Sequence, residues 1–277
     1  MELLKNKQNF KQIKPGVFVT DMMIWKEGKK TEVGILKDNN EKNPLVGKNL
    51  YRYLPYSTLY ASLKSSCFSF SSPLEWMDPY EGLFFEYLNI KLKPINRVLG
   101  CKCFTYNCFR GEESAWIVYK REEPIVKISL DLDAFIDELS VIAAAEHVSF
   151  YFTLCDYTRN KSDIDQMFQD YKKKKPVSLN VFLNLMSIKR KAFSNECEVR
   201  LFAVNNTSKD VNPNFGFSNY KSVISEVYLP PLRGYHVLDE RTKYYESIQK
   251  AFNSGMEKEL NDILDCKIMQ SRLYQCP

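Results

Sequence analysis

Between residues 193 and 202 the chain reads FSNECEVRLF, which spaces Glu196, Glu198 and Arg200 two apart, with Cys197, Val199 and Leu201 between them. In an extended strand, residues two apart share a face. Two carboxylates and a guanidinium therefore point the same way. On a solvated edge strand such a row is an ordinary polar face. On a central strand it needs a cleft, because burying unpaired charge is costly. The expectation is that all three face a cleft.

Three further clusters carry reagents. In Tyr51-Arg52-Tyr53 the arginine faces opposite the two tyrosines. It is either a snorkelling side chain at a strand edge or a contact for an anion or nucleotide phosphate. The stretch from Ser71 and Ser72 through Trp76 and Asp78 to Glu81 is a loop punctuated by Pro73 and Pro79. It either holds a fixed polar constellation or forms a rigid corner plugged by Trp76, and loops carry function more often than core elements do. Trp116 and Tyr119, three apart, share a face if helical. They then stack on a base, line a pocket or pack a core. The run Lys172–Lys175 is a solvated helix end, favourable beside the C-terminal dipole, or a hold on nucleic-acid phosphates.

Other chemistries find little support. Walker A, H-E-x-x-H, G-x-S-x-G and C-x-x-C patterns are missing from the chain. His147 and His236 are its two histidines; both read as structural or exposed, which argues against a Ser-His-Asp hydrolase. Cys101, Cys103 and Cys108 are close, but C-x-C-x4-C is not a zinc spacing, so no metal is expected. The opening MELLKNKQNFKQIKPG has no apolar h-region. The expectation is a cytoplasmic protein with reduced thiols and no membrane span. A net charge of +5 permits an acidic partner without requiring one.

These residues must be held by elements. With 277 residues, 44% apolar, and 17 Tyr and 18 Phe, the chain can bury a substantial core. Residues 1–49 read as an N-terminal arm or extension whose first 20 residues form a short hairpin or an arm packed on the body. LYRYLP reads as a strand, Ser57–Lys64 as a helix capped by Ser57 or Thr58, and Cys67–Ser71 as a strand ended by Pro73. LGCKCFTYN, EPIVKISL, ECEVRLFAV and YKSVISEVYLP also read as strands, and EESAWIVYK as a short helix. Residues 134–192 read as a helical insertion. The tail at 241–277 reads as two helices broken at Gly255. The expectation is a single α+β domain with a mixed or antiparallel central sheet.

The clusters also occur in a familiar order. The chain resembles an uncharacterised bacterial domain-of-unknown-function family whose members read LYKYR, then FSSPxxFNDPFE, then CFS…MWxHYxxxHxGVxLxF, then ExEVR. The matching residues are Leu50-Tyr51-Arg52-Tyr53, then Phe70-Ser71-Ser72-Pro73 with Met77-Asp78-Pro79-Tyr80-Glu81. Cys103-Phe104-Thr105, Trp116-x-x-Tyr119, Val126–Leu130 and Glu196-Cys197-Glu198-Val199-Arg200 follow. The match spans about residues 50–240. Met77 stands where the family has Asn, and Val118 where His is common; the H-x-G step is replaced by Glu123-Pro124-Ile125.

That layout is similar, more distantly, to ADP-ribosyltransferase-like folds. The resemblance implies NAD as cofactor. Arg52 then contacts its phosphates, and Ser71 or Ser72 supports the nicotinamide ribose. Trp116 or Tyr119 stacks on a ring. Glu198 or Glu196 stabilises the oxocarbenium-like centre, with Tyr53, Asp78, Glu81 and Arg200 completing the site.

Three readings stand at this point. One is an NAD-dependent ADP-ribosyltransferase or NAD-glycohydrolase effector, of the kind used in toxins or phage defence. Another is a nucleic-acid-binding or processing protein using Arg52, Arg200, Lys172–Lys175, Asp78, Glu81 and Glu198. The third is a non-enzymatic interaction module whose polar constellations are structural. Position separates them: a pocket shared by Arg52, Glu198 and Trp116 favours the first, and Asp78, Glu81 and Glu198 converging within metal-sharing distance favour the second. Glu198 and Arg200 paired with Arg52 and Asp78 in a packed interior favour the third.

Overall fold

The computed structural model describes residues 10–20, 24–26, 32–34, 49–76, 81, 85–86, 88–90, 92, 96–106, 112–118, 123–157, 161–172, 177–232, 240–271 and 273. In chain order the strands and helices begin with β1 (Phe10–Lys14), β2 (Val17–Thr20), β3 (Ile24–Lys26), β4 (Glu32–Gly34) and β5 (Leu50–Pro55). Next come α1 (Tyr56–Ser65), β6 (Cys67–Ser69), β7 (Val98–Thr105), α2 (Glu112–Val118) and β8 (Ile125–Leu130). The middle contains α3 (Leu132–Glu146), β9 (Val148–Leu154), α4 (Lys161–Lys172), α5 (Leu179–Met186) and β10 (Glu198–Asn205). The chain continues with β11 (Asn214–Gly216), α6 (Tyr220–Val223), β12 (Ile224–Leu229), α7 (Glu240–Asn261) and β13 (Lys267–Gln270).

The main sheet has nine strands in the order β1-β2-β9-β10-β7-β5-β8-β12-β13. It is mixed: β2 runs parallel to β9 and β12 parallel to β13, while the other pairings are antiparallel. Helices on both faces make one α+β domain. One face is covered by α1, α3 and the end of α7, through Leu59, Leu63, Phe135, Leu139, Met256 and Leu260. The other is covered around β9, β10 and β7 by α4 and α5, through Ile164, Met167, Phe182 and Leu183. Side-chain caps fix two of these helices. Asp131 accepts from the Ala134 amide at 2.9 Å, and Ser178 from the Val181 amide at 3.3 Å.

The hairpin expected in the first 20 residues forms, and it turns at Gly16. That residue has φ +71°, and a Cβ there would lie 2.4 Å from the Cβ of Ala143, so glycine alone lets the hairpin close on α3. Gly100 meets a similar demand in β7, where a Cβ would lie 2.8 Å from the Ser71 carbonyl oxygen.

Three expectations need correction. The stretch 134–192 is not a helical insertion, because β9 runs through it as a central strand between β2 and β10. VSFYFTL is buried on both sides, and a continuous apolar run does not reveal by periodicity whether it is strand or helix. The tail is not two helices: α7 passes unbroken through Gly255 and is followed by β13. A glycine in a helix costs only about 1 kcal/mol, and burial of Asn253, Met256 and Leu260 on the same helix outweighs it. Finally, α1 starts after Pro55 without a side-chain cap, so neither Ser57 nor Thr58 plays that part.

Candidate functional site

The stretch FSNECEVRLF folds in two parts. Lys191–Glu196 is a 3-10 helix, and Cys197 follows in the left-handed region at φ 46°. The strand begins only at Glu198. Glu196 therefore does not share a strand face with Glu198 and Arg200, as strict alternation required. It joins them from the end of the 3-10 helix, through a shared contact with Lys189.

Strand β10 is central, flanked by β7 and β9, with Arg200 opposite Cys103 on one side and Thr153 on the other. Its Val199, Leu201 and Ala203 face the larger core, and Phe202 and Val204 face the α4–α5 side. Arg200 shares the second face and is 0% exposed. Its guanidinium is fully engaged. Nε donates to Glu198 Oε1 at 2.6 Å, and Nη2 to Glu81 Oε1 at 2.6 Å. Nη1 donates to the Met186 carbonyl, one of the unsatisfied acceptors at a helix C-terminus. Cζ lies 4.8 Å from the Trp76 ring centroid, within cation–π range.

Lys189 completes the cluster. Its Nζ donates to Glu196 Oε2 at 2.7 Å and to Glu198 Oε2, and lies 4.0 Å from Glu81 Oε1. Both oxygens of Glu198 are thus committed, one to each cation, and the residue is 4% exposed. Its backbone amide donates to Tyr157 Oη at 2.9 Å. Burial alone would raise the Glu198 carboxyl. The Arg200 guanidinium and Lys189 ammonium outweigh it and hold the group well below the usual carboxylate range. For Lys189, burial opposes the charge, yet Glu198 and its neighbours hold the ammonium above the ordinary lysine range. Burial moves Glu196 the other way, upward, with Lys189 opposing.

These directions set a pH dependence. A depressed carboxylate contributes stability above its unfolded pKa of about 4.5, and that contribution is lost as pH falls through the lower folded value. A raised lysine contributes below about 10.5 and loses that contribution only above it. The stability deficit of Glu198→Gln is therefore expected to be constant from about pH 5 to 9 and to shrink on acidification well below 4.5. Urea midpoints of both proteins across that range check this.

The remaining candidate residues lie elsewhere. Tyr51, Thr105 and Glu198 are partners across three adjacent strands, so they share a face. Arg52 consequently projects to the opposite face, with Cζ 6.0 Å from the Phe104 centroid. Tyr53 lies on Glu198's side of the sheet but packs edge-to-face on Trp116, with centroids 5.2 Å apart. Trp116 is buried there with Ile125, as core. Ser71 bridges to Cys101 and places its hydroxyl 3.4 Å from that residue's carbonyl oxygen. Ser72 accepts from the Leu74 amide at 3.3 Å, capping the turn Pro73–Glu75. Asp78, Tyr119 and Lys173–Lys175 lie outside the described residues, as does the side chain of Lys172.

Of the residues assigned to NAD, the phosphate contact Arg52 and the carboxylate Glu198 are on opposite faces of the sheet. The carboxylates Glu81, Glu196 and Glu198 do converge, but on Lys189 and Arg200. Among the described residues no cluster offers a metal site. The residues that sequence reasoning missed are Lys189, Tyr157 and the Met186 carbonyl. In SIKRKAF nothing about spacing separates Lys189 from Arg190 or Lys191. Compared with known proteins, the chain matches no family model, no curated protein and no solved structure.

Proposed function

We propose that the chain is a non-enzymatic interaction module in which Glu196-Cys197-Glu198-Val199-Arg200 is a structural clamp. The observation that carries this reading is the full engagement of Glu198, with one oxygen on Arg200 and the other on Lys189. A carboxylate that stabilises a reacting centre needs an oxygen directed at the substrate, and here neither is. The clamp ties Glu81, the end of α5 and the turn at Trp76 to the middle of the sheet. The interaction side of the reading draws support from α7, where Tyr244, Tyr245 and Phe252 are large exposed rings.

Incubation of the purified protein with NAD, and separately with RNA or DNA plus magnesium, tests the proposal against both enzymatic readings. The expected result is no nicotinamide release and no nucleic-acid cleavage, by the wild type or by Glu198→Gln. Turnover by the wild type that Glu198→Gln abolishes, with the variant still folded, would overturn it.

A further inference from the structure

The two faces of α7 meet different surroundings. Asn253, Met256 and Leu260 turn inward and are buried. Asn253 Nδ2 also ties the helix to the end of β12, donating to the Pro230 carbonyl at 3.1 Å. The opposite face carries Tyr244, Ile248, Ala251 and Gly255, at the four-three-four spacing of a coiled-coil seam. Phe252 and Tyr245 border that seam on one side, and Ser247 and Ser254 on the other. Tyr244 is 64% exposed, Tyr245 57% and Phe252 62%. The two tyrosine rings meet edge-to-face, with centroids 6.0 Å apart.

The seam complements itself when reversed. Two copies of α7 set antiparallel, with a two-fold axis between Gln249 and Lys250, bring Tyr244 across from Gly255 and Ile248 across from Ala251. Each level then pairs a large side chain with a small one. A Cβ at Gly255 would meet no atom within 4 Å, so the Tyr244 ring of a second copy has room there. Charge favours the same direction. Among the described side chains, the first half of α7 carries Lys243 and Lys250 against Glu246, and the second half Glu257 and Glu259 against Lys258. Antiparallel pairing lays the net positive half beside the net negative one and opposes the two macrodipoles. At their exposures the three rings present on the order of 350 Å² per copy. Two copies bring about 700 Å² before Ile248 and Ala251 are counted, approaching the roughly 1,000 Å² of a specific interface. Such an area suits a reversible dimer rather than an obligate one.

We infer that α7 docks on α7 of a second copy of this chain, forming an antiparallel two-fold dimer. The inference rests on the interaction-module reading and names its partner, and it uses no residue of the clamp.

Sedimentation velocity of the full-length chain, from about 1 to 200 μM, tests it. The expected result is a reversible monomer–dimer equilibrium with a Kd of about 1–100 μM. Phe252→Ser removes an exposed ring, and Gly255→Gln fills the seam. Each is expected to weaken association at least about tenfold. Neither disturbs the core of a single copy. Phe252 is exposed, and the added glutamine side chain enters open space while improving the helix. Gly255→Gln is therefore expected to weaken the dimer without lowering the thermal midpoint at low concentration. A chain still monomeric at about 200 μM would overturn the inference and leave this face to a different protein. A dimer that both variants leave intact would overturn it as well. Neither result touches the clamp, which is tested by Glu198-dependent turnover, so the two failures are distinct.

Discussion

Arg200→Met is expected to lower the unfolding free energy by about 3–5 kcal/mol, the range for removing one partner from a buried ion pair. The size follows from what stays behind. Glu198 and Glu81 each lose a bond of 2.6 Å, and the Met186 carbonyl loses its donor. Lys189 cannot take over, because its ammonium is already shared between Glu196 and Glu198. Methionine fills much of the volume, so a cavity contributes little to the loss. Arg200→Lys is not expected to rescue the protein. A single ammonium cannot reproduce a planar fork that reaches Glu198, Glu81 and the Met186 carbonyl together. Chemical denaturation of the three proteins measures both effects.

Phe135→Ala is expected to cost about 3–5 kcal/mol by a different mechanism, loss of buried area plus a residual cavity. Phe135 is 0% exposed on α3. Its ring centroid lies 5.4 Å from Phe68, 5.7 Å from Phe104, 6.1 Å from Phe152 and 6.0 Å from Phe217. Those partners come from β6, β7, β9 and the segment after β11. No single element can relax to fill the gap, so the cavity persists. Phe135→Leu keeps most of the volume and is expected to lose about 1–2 kcal/mol. The same denaturation measurement separates the two.

Much of this fold could be read locally. Strands β5, β7, β8, β10 and β12 lie where their β-branched and aromatic runs put them, and α1 and α2 lie within a residue or two of expectation. Strand β9 was hidden because VSFYFTL has no polar face to set its period. The clamp was half legible. Alternation placed Glu198 and Arg200 on one face, but the left-handed turn at Cys197, which delivers Glu196 by another route, leaves no mark in residue type.

The separation of Arg52 from Glu198 was not legible at all. Within each strand the alternation is plain. Which face of β5 corresponds to which face of β10 depends on the register of both strands against β7, through Tyr51, Thr105 and Glu198. That register arises from non-local pairing, and a shift of one residue would have reversed the outcome. Order along the chain, which carried the family resemblance, contains no information about it.

The central claim is that Glu198 and Arg200 act on each other rather than on a substrate. A double-mutant cycle in unfolding free energy, with Glu198→Gln, Arg200→Met and the double variant, tests it most directly. The account predicts that the double variant loses less than the sum of the single losses, by at least about 2 kcal/mol, because removing both partners leaves less uncompensated charge. Additive losses, with coupling within about 0.5 kcal/mol of zero, would contradict it.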